Sequence, residues 1–217
     1  MSLRTNEKDF IAKEGYPFIG GGIILSALLR ALGYEKLSYI PAGFSAFSLY
    51  FFRNPKRSAP QLKNSVVSGA DGVVVFSGEA YERFFLKKYT KRISVFMSLF
   101  DVHVNRSPVN GTVQGIVYNK GKFISANKEK ASLENEQCAI KIKAEDGRNI
   151  VMVQIAGLVA RRIETYPKVG DSLKRGQILG LIRFGSRVDI YVEGDFEEAV
   201  KPKERVKAGE TILGFMR

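Results

Sequence analysis

The sequence predicts a mainly β protein of the α+β class, in which an N-terminal helical hairpin precedes a β-rich domain. Three observations predict this. Two long uncharged runs occupy residues 15–29 and 37–52. Beyond residue 60, short apolar runs rich in β-branched residues alternate with Gly, Asn and Asp turns. A short internal repeat near the C-terminus indicates a sandwich built from two similar halves.

The two uncharged runs predict a membrane-associating segment over residues 1–56. Each run contains Gly or Pro, is bracketed by basic residues, and is shorter than the ~20 apolar residues of an upright spanning helix. We therefore expect a tilted, re-entrant or interfacial hairpin, and favour it over two full spans. A buried helical hairpin in a soluble fold is the alternative.

Charged residues around this segment predict its location at the cytoplasmic face of the cell membrane. Glu7, Asp9 and Glu14 make a poor secretory leader, and no clear small-residue cleavage site follows. The basic flank at residues 53–57 fits contact with headgroups on the cytoplasmic side.

The overall charge favours an acidic partner. Thirty-four Lys and Arg against twenty-two Asp and Glu give a net charge of +12. The cations lack the aromatic interleaving of a single-strand binder and form no recognisable recognition helix, so we expect an anionic membrane and no nucleic acid. Cys138 is the only cysteine, which excludes an internal disulfide and a thiol pair for a metal. We expect no metal site.

The pattern of residues 57–217 predicts a β-rich domain. We expect helix mainly near the N-terminus of the chain. The candidate strands are Val73–Phe76, Ile93–Phe96, Gly111–Val117, Ala139–Ile142, Ile150–Ile155 and Val188–Val192.

The internal repeat matches residues 173–183 (LKRGQILGLIR) to residues 206–217 (VKAGETILGFMR) with one inserted residue. Each copy places Gly at a tight turn before a strand, as in the two halves of lipoyl and biotinyl carrier domains. We therefore expect a carrier-like barrel-sandwich in the C-terminal part. Carrier function itself is disfavoured, because Lys174 and Lys207 precede the Gly turns instead of standing at a hairpin tip.

Several sequence blocks together resemble the short bacterial and archaeal phosphatidylserine decarboxylases. The most specific is GLIRFGSRVDIYV at 180–192, preceded by IAGLVARRI at 155–163. The others are FFRNPKR (51–57), GADG (69–72), ISVFMSLFDVHVNRSPVNGTV (93–113) and YNKGKFISANKEKASLENEQ (118–137). The resemblance covers roughly residues 51–192.

This resemblance implies a proenzyme that cleaves itself between Gly185 and Ser186. Decarboxylating an amino acid needs an electron sink conjugated to its α-carbon, and a pyruvoyl group derived from Ser186 is the sink that the family uses. The Ser186 hydroxyl attacks the Gly185 carbonyl to give an ester, and β-elimination then frees a Gly185 carboxylate and a dehydroalanine, which hydrolyses to the pyruvoyl group. Cleavage gives a large chain, 1–185, and a small chain, 186–217, which form a heterodimer.

The same resemblance implies that Asp71, His103 and Ser186 form a serine-protease-like triad for self-cleavage. His103 is the only histidine and hence the leading candidate for the base. Longer relatives carry a second histidine three residues further on, where this chain has Arg106. Two alternatives stay open: His103 serves both self-cleavage and decarboxylation, or Arg106 orients the substrate's carboxylate or phosphate.

The implied substrate, phosphatidylserine, needs cationic partners. Arg161, Arg162 and Arg187 lie close in sequence to the cleavage site and are candidate headgroup contacts. Three other functions remain in view. These are decarboxylation of an ether lipid such as archaetidylserine, a soluble pyruvoyl amino-acid decarboxylase, and a non-catalytic carrier-like membrane adaptor.

Overall fold

The computed structural model describes residues 4–121, 135–157, 162–183 and 185–217. The chain forms two compact units, Met1–Lys56 and Arg57–Arg217. Arg161, Phe184 and most of the 118–137 block lie outside the described residues.

The first unit is a helical hairpin with a seam of small and polar residues. A 3₁₀ turn at Lys13–Gly15 leads into α1 (Tyr16–Ala31), which pairs with α2 (Glu35–Phe51). The helices approach so closely that a Cβ at Gly22 would lie 2.2 Å from Ser45 Oγ. Ser45 Oγ donates to the Ile19 carbonyl at 2.9 Å, and Ser26 Oγ donates to the Ser38 carbonyl at 2.8 Å. Serine hydroxyls therefore lie inside this hairpin.

Large apolar side chains point outward from the hairpin. Ile24 is 70% exposed and Ile40 is 69% exposed. Other large side chains on the hairpin that lie at least 44% exposed are Tyr16, Ile23, Leu25, Leu28, Leu32, Tyr34, Leu37, Tyr39, Phe44, Leu49 and Tyr50. Small residues at the helix–helix contact with apolar residues facing outward are typical of helices packed in lipid. Neither helix in the described part of the chain combines the length and hydropathy needed to cross a bilayer.

The second unit is built from antiparallel strands, which confirms the mainly β prediction. Its described residues form β1 (Ser65–Val67), β2 (Gly72–Glu82), β3 (Lys88–Met97), β4 (Val104–Arg106), β5 (Gly111–Asn119), β6 (Gln137–Ala144), β7 (Asn149–Ala156), β8 (Ile163–Thr165), β9 (Ser172–Leu173), β10 (Ile178–Ile182), β11 (Ser186–Val192), β12 (Phe196–Glu198), β13 (Arg205–Val206) and β14 (Ile212–Met216). All six predicted strands are present, and each extends beyond its predicted bounds.

Within the described residues, these strands form three sheets. Eight strands pair in the order β13-β2-β3-β11-β7-β6-β5-β9, while β1-β14-β12 and β4-β10-β8 form two smaller sheets. One face of the large sheet carries the main core, which includes Val95, Met97, Met152 and Val188. The opposite face carries a second cluster around Val153, Ile155 and Tyr191. Strand alternation therefore decides which core each residue of β11 enters.

The internal repeat corresponds to two matching turns. Gly176 and Gly209 both adopt positive φ, at 78° and 74°. A Cβ at Gly209 would lie 3.2 Å from the Gly176 Cα, so the two turns pack against each other and side chains are excluded from both. Their amides make equivalent bonds, because Gly176 N–H donates to the Ser107 carbonyl and Gly209 N–H donates to the Ser68 carbonyl, each at 2.8 Å. The repeat thus has a pseudo-twofold structural counterpart.

Candidate active site

Ser186 is the first residue of β11, at the centre of the large sheet. It pairs with Met97 of β3 on one side and with Ala156 of β7 on the other. Its side chain is fully buried, and its Oγ has no hydrogen-bond partner among the described residues. A buried hydroxyl without a partner costs about 1–3 kcal/mol and calls for an explanation, of which a catalytic role is one.

The backbone changes direction just before Ser186. Gly185 has φ of 69°, in the left-handed region where residues with a Cβ are strained, and among the described residues the nearest atom to a Cβ built there is Leu99 Cδ2, at 4.0 Å. Backbone conformation therefore favours glycine at this position. The Gly185 amide N–H donates to His103 Nε2 at 3.2 Å. The predicted base thus contacts the residue whose carbonyl would be attacked.

The other nitrogen of His103 fixes the state of the ring. Nδ1 lies 3.0 Å from the Asp101 carbonyl oxygen, and since a carbonyl only accepts, Nδ1 carries the proton. Nε2 then keeps its lone pair, as its contact with the Gly185 N–H also requires. The Asp101 carboxylate holds this loop by accepting from Ser98 N–H at 2.9 Å and Ser98 Oγ at 2.7 Å, and it also pairs with Arg205. A neutral imidazole is therefore held beside the Gly185 amide, with its unprotonated nitrogen toward it.

Asp71 is buried immediately before β2. Its Oδ2 pairs with Arg57 at 2.7 Å, and its Oδ1 accepts the Ala208 N–H at 2.7 Å. The neighbouring backbone reaches the strand that follows His103, because the Gly69 carbonyl accepts the Arg106 N–H at 3.0 Å. These contacts anchor the carboxylate. Its part in the predicted triad stays a prediction.

Arg187 lies on the opposite side of β11 from Ser186, because successive residues of a strand point to opposite faces. Its guanidinium pairs with Asp189, with Nε to Oδ1 at 2.6 Å and Nη2 to Oδ2 at 2.8 Å, and both residues are buried. Burial raises the pKa of Asp189, but the charges and hydrogen bonds of Arg187, with a contribution from Arg92, outweigh it, so the pKa lies below the ordinary carboxylate value. In this structure Arg187 is thus engaged inside the protein.

Asp189→Asn is expected to reduce the free energy of unfolding by about 3–5 kcal/mol, because it leaves the Arg187 charge buried without its counter-ion. Since the folded-state pKa of Asp189 is lowered, its stabilisation is present above the unfolded-state pKa, about 3.9, and is lost as pH falls through the lower folded-state value. Urea denaturation at pH 7 measures the effect. The exposed Asp195→Asn is the control, expected to cost less than about 0.5 kcal/mol. If Asp189→Asn reduced the free energy of unfolding by less than about 1 kcal/mol, the Arg187–Asp189 pair would not be needed for stability.

The other predicted arginines have different environments. Arg106 is buried in β4 and donates from Nη1 to the Gly176 carbonyl at 2.8 Å, beside the pseudo-twofold turns. Arg162 is exposed, and its Nε lies 3.0 Å from Glu164 Oε1. Arg183 shares that carboxylate oxygen at 3.1 Å. Arg161 lies outside the described residues.

Three residues at the site were not singled out from the sequence. Arg57 holds Asp71, and the carbonyl and carboxylate of Asp101 place His103, with Arg205 as the partner of that carboxylate. Arg57 and Asp101 belong to quoted motif blocks, which is the signal that could have found them. Arg205 stands in no motif, so its pairing with a residue 104 positions earlier required the fold.

Comparison with known proteins identifies the family of this chain. The phosphatidylserine decarboxylase family model matches residues 44–214. The chain is 48% identical over 212 residues to the phosphatidylserine decarboxylase proenzyme of Syntrophotalea carbinolica, covering 98% of this chain and 99% of that protein. It is 45% identical to the proenzyme of Geotalea uraniireducens (97% and 99% covered) and 42% identical to that of Desulfotalea psychrophila (94% and 95% covered). The chain therefore belongs to the phosphatidylserine decarboxylase family of carboxy-lyases.

Proposed function

We propose that this protein cleaves itself between Gly185 and Ser186 and then uses a pyruvoyl group to decarboxylate phosphatidylserine to phosphatidylethanolamine. One observation carries the proposal: His103 Nε2 accepts the N–H of Gly185 next to a buried Ser186 hydroxyl that has no hydrogen-bond partner among the described residues. Gly185 and Ser186 thus contain the bond to be broken and the nucleophile, and the side chain of His103 supplies the base.

Self-cleavage needs only groups of this chain. His103 Nε2 first releases the Gly185 N–H, because its single lone pair can accept one proton. The Ser186 hydroxyl then gives its proton to this nitrogen as Oγ bonds to the Gly185 carbonyl carbon. The bond from that carbon to the Ser186 nitrogen then breaks, and the nitrogen takes the proton from His103. The product is an ester that joins Gly185 to the Ser186 side chain. Removal of the Ser186 α-proton then expels the Gly185 carboxylate and leaves a dehydroalanine, which water hydrolyses to the pyruvoyl group with release of ammonia.

The surroundings of Ser186 fit such a group. Its neighbours across the sheet, Met97 and Ala156, are apolar and buried, so Ser186 is flanked within the sheet by apolar side chains. When present, the pyruvoyl group supplies the electron sink for decarboxylation. His103 remains beside it and is the proton-transfer group that we assign to both stages, because Arg106 is engaged at the pseudo-twofold turns.

A cationic edge near the cleavage site suits the lipid phosphate. The Arg183 N–H donates to the Arg162 carbonyl at 3.2 Å, which aligns these two residues just before the 185–186 bond. Both guanidinium groups approach the same Glu164 oxygen, so the trio carries one excess positive charge. We propose this edge as the headgroup contact.

The two product chains are expected to stay together as a heterodimer. Residues 186–217 contribute four strands, of which β11 is paired on both sides within the large sheet. The others pair with β1 and β2 of the large chain or with each other. The ladder hydrogen bonds and the buried core keep the small chain in place after one peptide bond is lost.

The helical hairpin is proposed to hold the enzyme at the cytoplasmic face of the cell membrane. Its outward apolar side chains would enter the lipid, while a net charge of +12 attracts anionic headgroups. A phospholipid substrate supports placement at a membrane, because the headgroup can then reach the site without leaving the bilayer.

Replacing Ile24 and Ile40 together with glutamate is expected to weaken vesicle binding at least about 100-fold, because each isoleucine loses about 1.5–3 kcal/mol of apolar burial in lipid. Sedimentation with phosphatidylglycerol vesicles measures it. A matched variant replaces the exposed Tyr89 and Val169 of the β-rich unit with glutamate, adding the same charge. Equal binding by both double variants would overturn the assignment of the hairpin as the anchor.

The function itself is tested by incubating the purified protein with phosphatidylserine vesicles and measuring carbon dioxide and phosphatidylethanolamine. Intact mass determined on the same sample shows whether chains 1–185 and 186–217 are present. A parallel reaction with archaetidylserine separates ester-linked from ether-linked lipids, and free serine tests a soluble amino-acid decarboxylase. A single uncleaved chain without decarboxylation of any of the three would overturn the proposal in favour of a carrier-like adaptor.

A further inference from the structure

Asn105 is a fully buried amide whose two ends contact two different strands of the large sheet. Its Oδ1 accepts the Gln154 Nε2–H of β7 at 2.8 Å, and its Nδ2 lies 3.6 Å from Met97 Sδ of β3. Strand β11, which begins with Ser186, runs between β3 and β7. The amide therefore bridges across β11.

The strand register shows on which face this bridge lies. Ser186 is directly opposite Met97, and Val188 is directly opposite Gln154. Residues directly opposite one another, and residues two apart in one strand, point to the same face. Ser186, Met97 and Gln154 thus share one face, and the amide of Asn105 spans β11 on the face that carries the Ser186 hydroxyl.

The polar groups at this point are incompletely matched. The Asn105 NH₂ group carries two donors, yet the acceptor that it meets in the described residues is a thioether, which accepts weakly. On the same face the Ser186 Oγ has no hydrogen-bond partner within the described ranges. The buried Asn105 NH₂, which meets a weak acceptor, thus lies on the same face as the buried Ser186 Oγ, which lacks a donor in the described ranges.

The hydrogen bonds of neighbouring side chains orient the Asn105 amide. Thr165 Oγ1 donates to Gln154 Oε1 at 2.7 Å and also lies 3.3 Å from Cys138 Sγ, and with this donation the Gln154 NH₂ points toward Asn105. Gln154 Nε2 then donates to Asn105 Oδ1, which turns the Asn105 NH₂ away from Gln154. The relay Thr165–Gln154–Asn105 therefore presents a donor, and not an acceptor, over β11.

We propose that Asn105 is a positioning residue for self-cleavage. Its NH₂ donates to Ser186 Oγ as the hydroxyl rotates toward the Gly185 carbonyl, and Gln154 acts through Asn105 by setting the amide's orientation. The inference rests on the proposed self-cleavage. It concerns the attack step, in which the Oγ proton passes to His103 Nε2 and the bond between Oγ and the carbonyl carbon forms.

Gln154→Glu tests this without touching Asn105 or Ser186. The carboxylate accepts from Thr165 through one oxygen and from Asn105 through the other, so its hydrogen bonds are satisfied while the Asn105 amide must reverse and present Oδ1 to Ser186. Self-cleavage, followed by intact mass, is expected to slow about 100-fold, the usual effect of losing one positioned donor. Asn105→Asp is expected to slow it similarly, and Gln154→Met less, because it leaves the amide free to adopt either orientation.

Gln137→Glu is the matched control, since Gln137 is a second buried glutamine, on the neighbouring strand β6, with Arg83 at 3.1 Å. Its cleavage rate should equal that of the natural chain. Hydroxylamine, which cleaves esters, identifies the step: with Gln154→Glu, little Gly185 hydroxamate should form, because the attack itself is slowed.

The outcomes separate this inference from the proposed function. Cleavage of Gln154→Glu at the natural rate, or accumulation of its ester, would overturn the role of Asn105 and leave self-cleavage standing. If cleavage slowed in proportion to the loss of melting temperature in both Gln154→Glu and Gln137→Glu, Asn105 would have a role in folding alone. Failure of the natural chain to cleave would instead overturn the proposed function.

Discussion

Ser186→Ala is expected to leave the protein as one uncleaved chain without decarboxylase activity. Alanine removes the oxygen that would attack Gly185 and the only source of the pyruvoyl group, so no weaker route remains. The fold should persist, because the hydroxyl has no hydrogen-bond partner within the described residues and alanine retains the β11 ladder. Intact mass and melting temperature, determined on the same sample, test both statements.

Ser77→Ala provides the matched control. Ser77 also has a buried Oγ without a hydrogen-bond partner in the described part of the chain, on strand β2 of the same sheet. This variant should process and decarboxylate as the natural chain does. Appearance of the chain 186–217 from Ser186→Ala would mean that another group breaks the bond, and self-cleavage by Ser186 would have to be abandoned.

His103→Gln is expected to slow self-cleavage by about 10²–10⁴-fold, the range attributed to one general base. Glutamine retains polar atoms near the Gly185 N–H and the Asp101 carbonyl, but it cannot take the Ser186 proton. The rate of appearance of the chain 186–217 is the measurement. Thermal melting of the same variant shows whether the buried site has kept its structure.

Asp71→Asn, studied in parallel, separates the two roles open to that carboxylate. The melting temperature is expected to fall in either case, because asparagine removes the charge that pairs with Arg57. If Asp71 also acts through His103, cleavage slows by more than this fall explains. If it serves only to hold Arg57 and the Ala208 amide, the melting temperature falls and cleavage follows it. Natural cleavage rates in His103→Gln would remove the base from the mechanism altogether.

Local pattern predicted most of the fold. Each candidate strand was found, because alternation of β-branched residues between Gly, Asn and Asp turns is a property of adjacent residues. The observed strands are longer, as β2 shows: it continues to Glu82, whose buried carboxylate accepts the amides of Phe84, Phe85 and Leu86. That bend depends on a charged side chain turned inward, which hydropathy does not reveal.

The site was predicted in part. Motif resemblance identified Ser186 and His103, which lie 83 positions apart in sequence, and the structure joins the imidazole to the residue before Ser186. Arg187 is adjacent to Ser186 in sequence, yet it pairs with Asp189 on the other face of the sheet, and its contact with the headgroup stays a prediction. One step along a strand reverses a side chain, so sequence neighbours need not share a site.

The sequence by itself determined the class of fold, the apolar hairpin, the repeat and the motif that marks the Gly185–Ser186 bond, because each is written in short-range pattern or composition. Tertiary structure alone decided which groups surround that bond. The contact of His103 with Gly185, the pairing of Asp101 with Arg205 and the Asn105 bridge over β11 all join distant segments. Such contacts depend on strand order and register, which are set by how the whole chain buries its apolar faces.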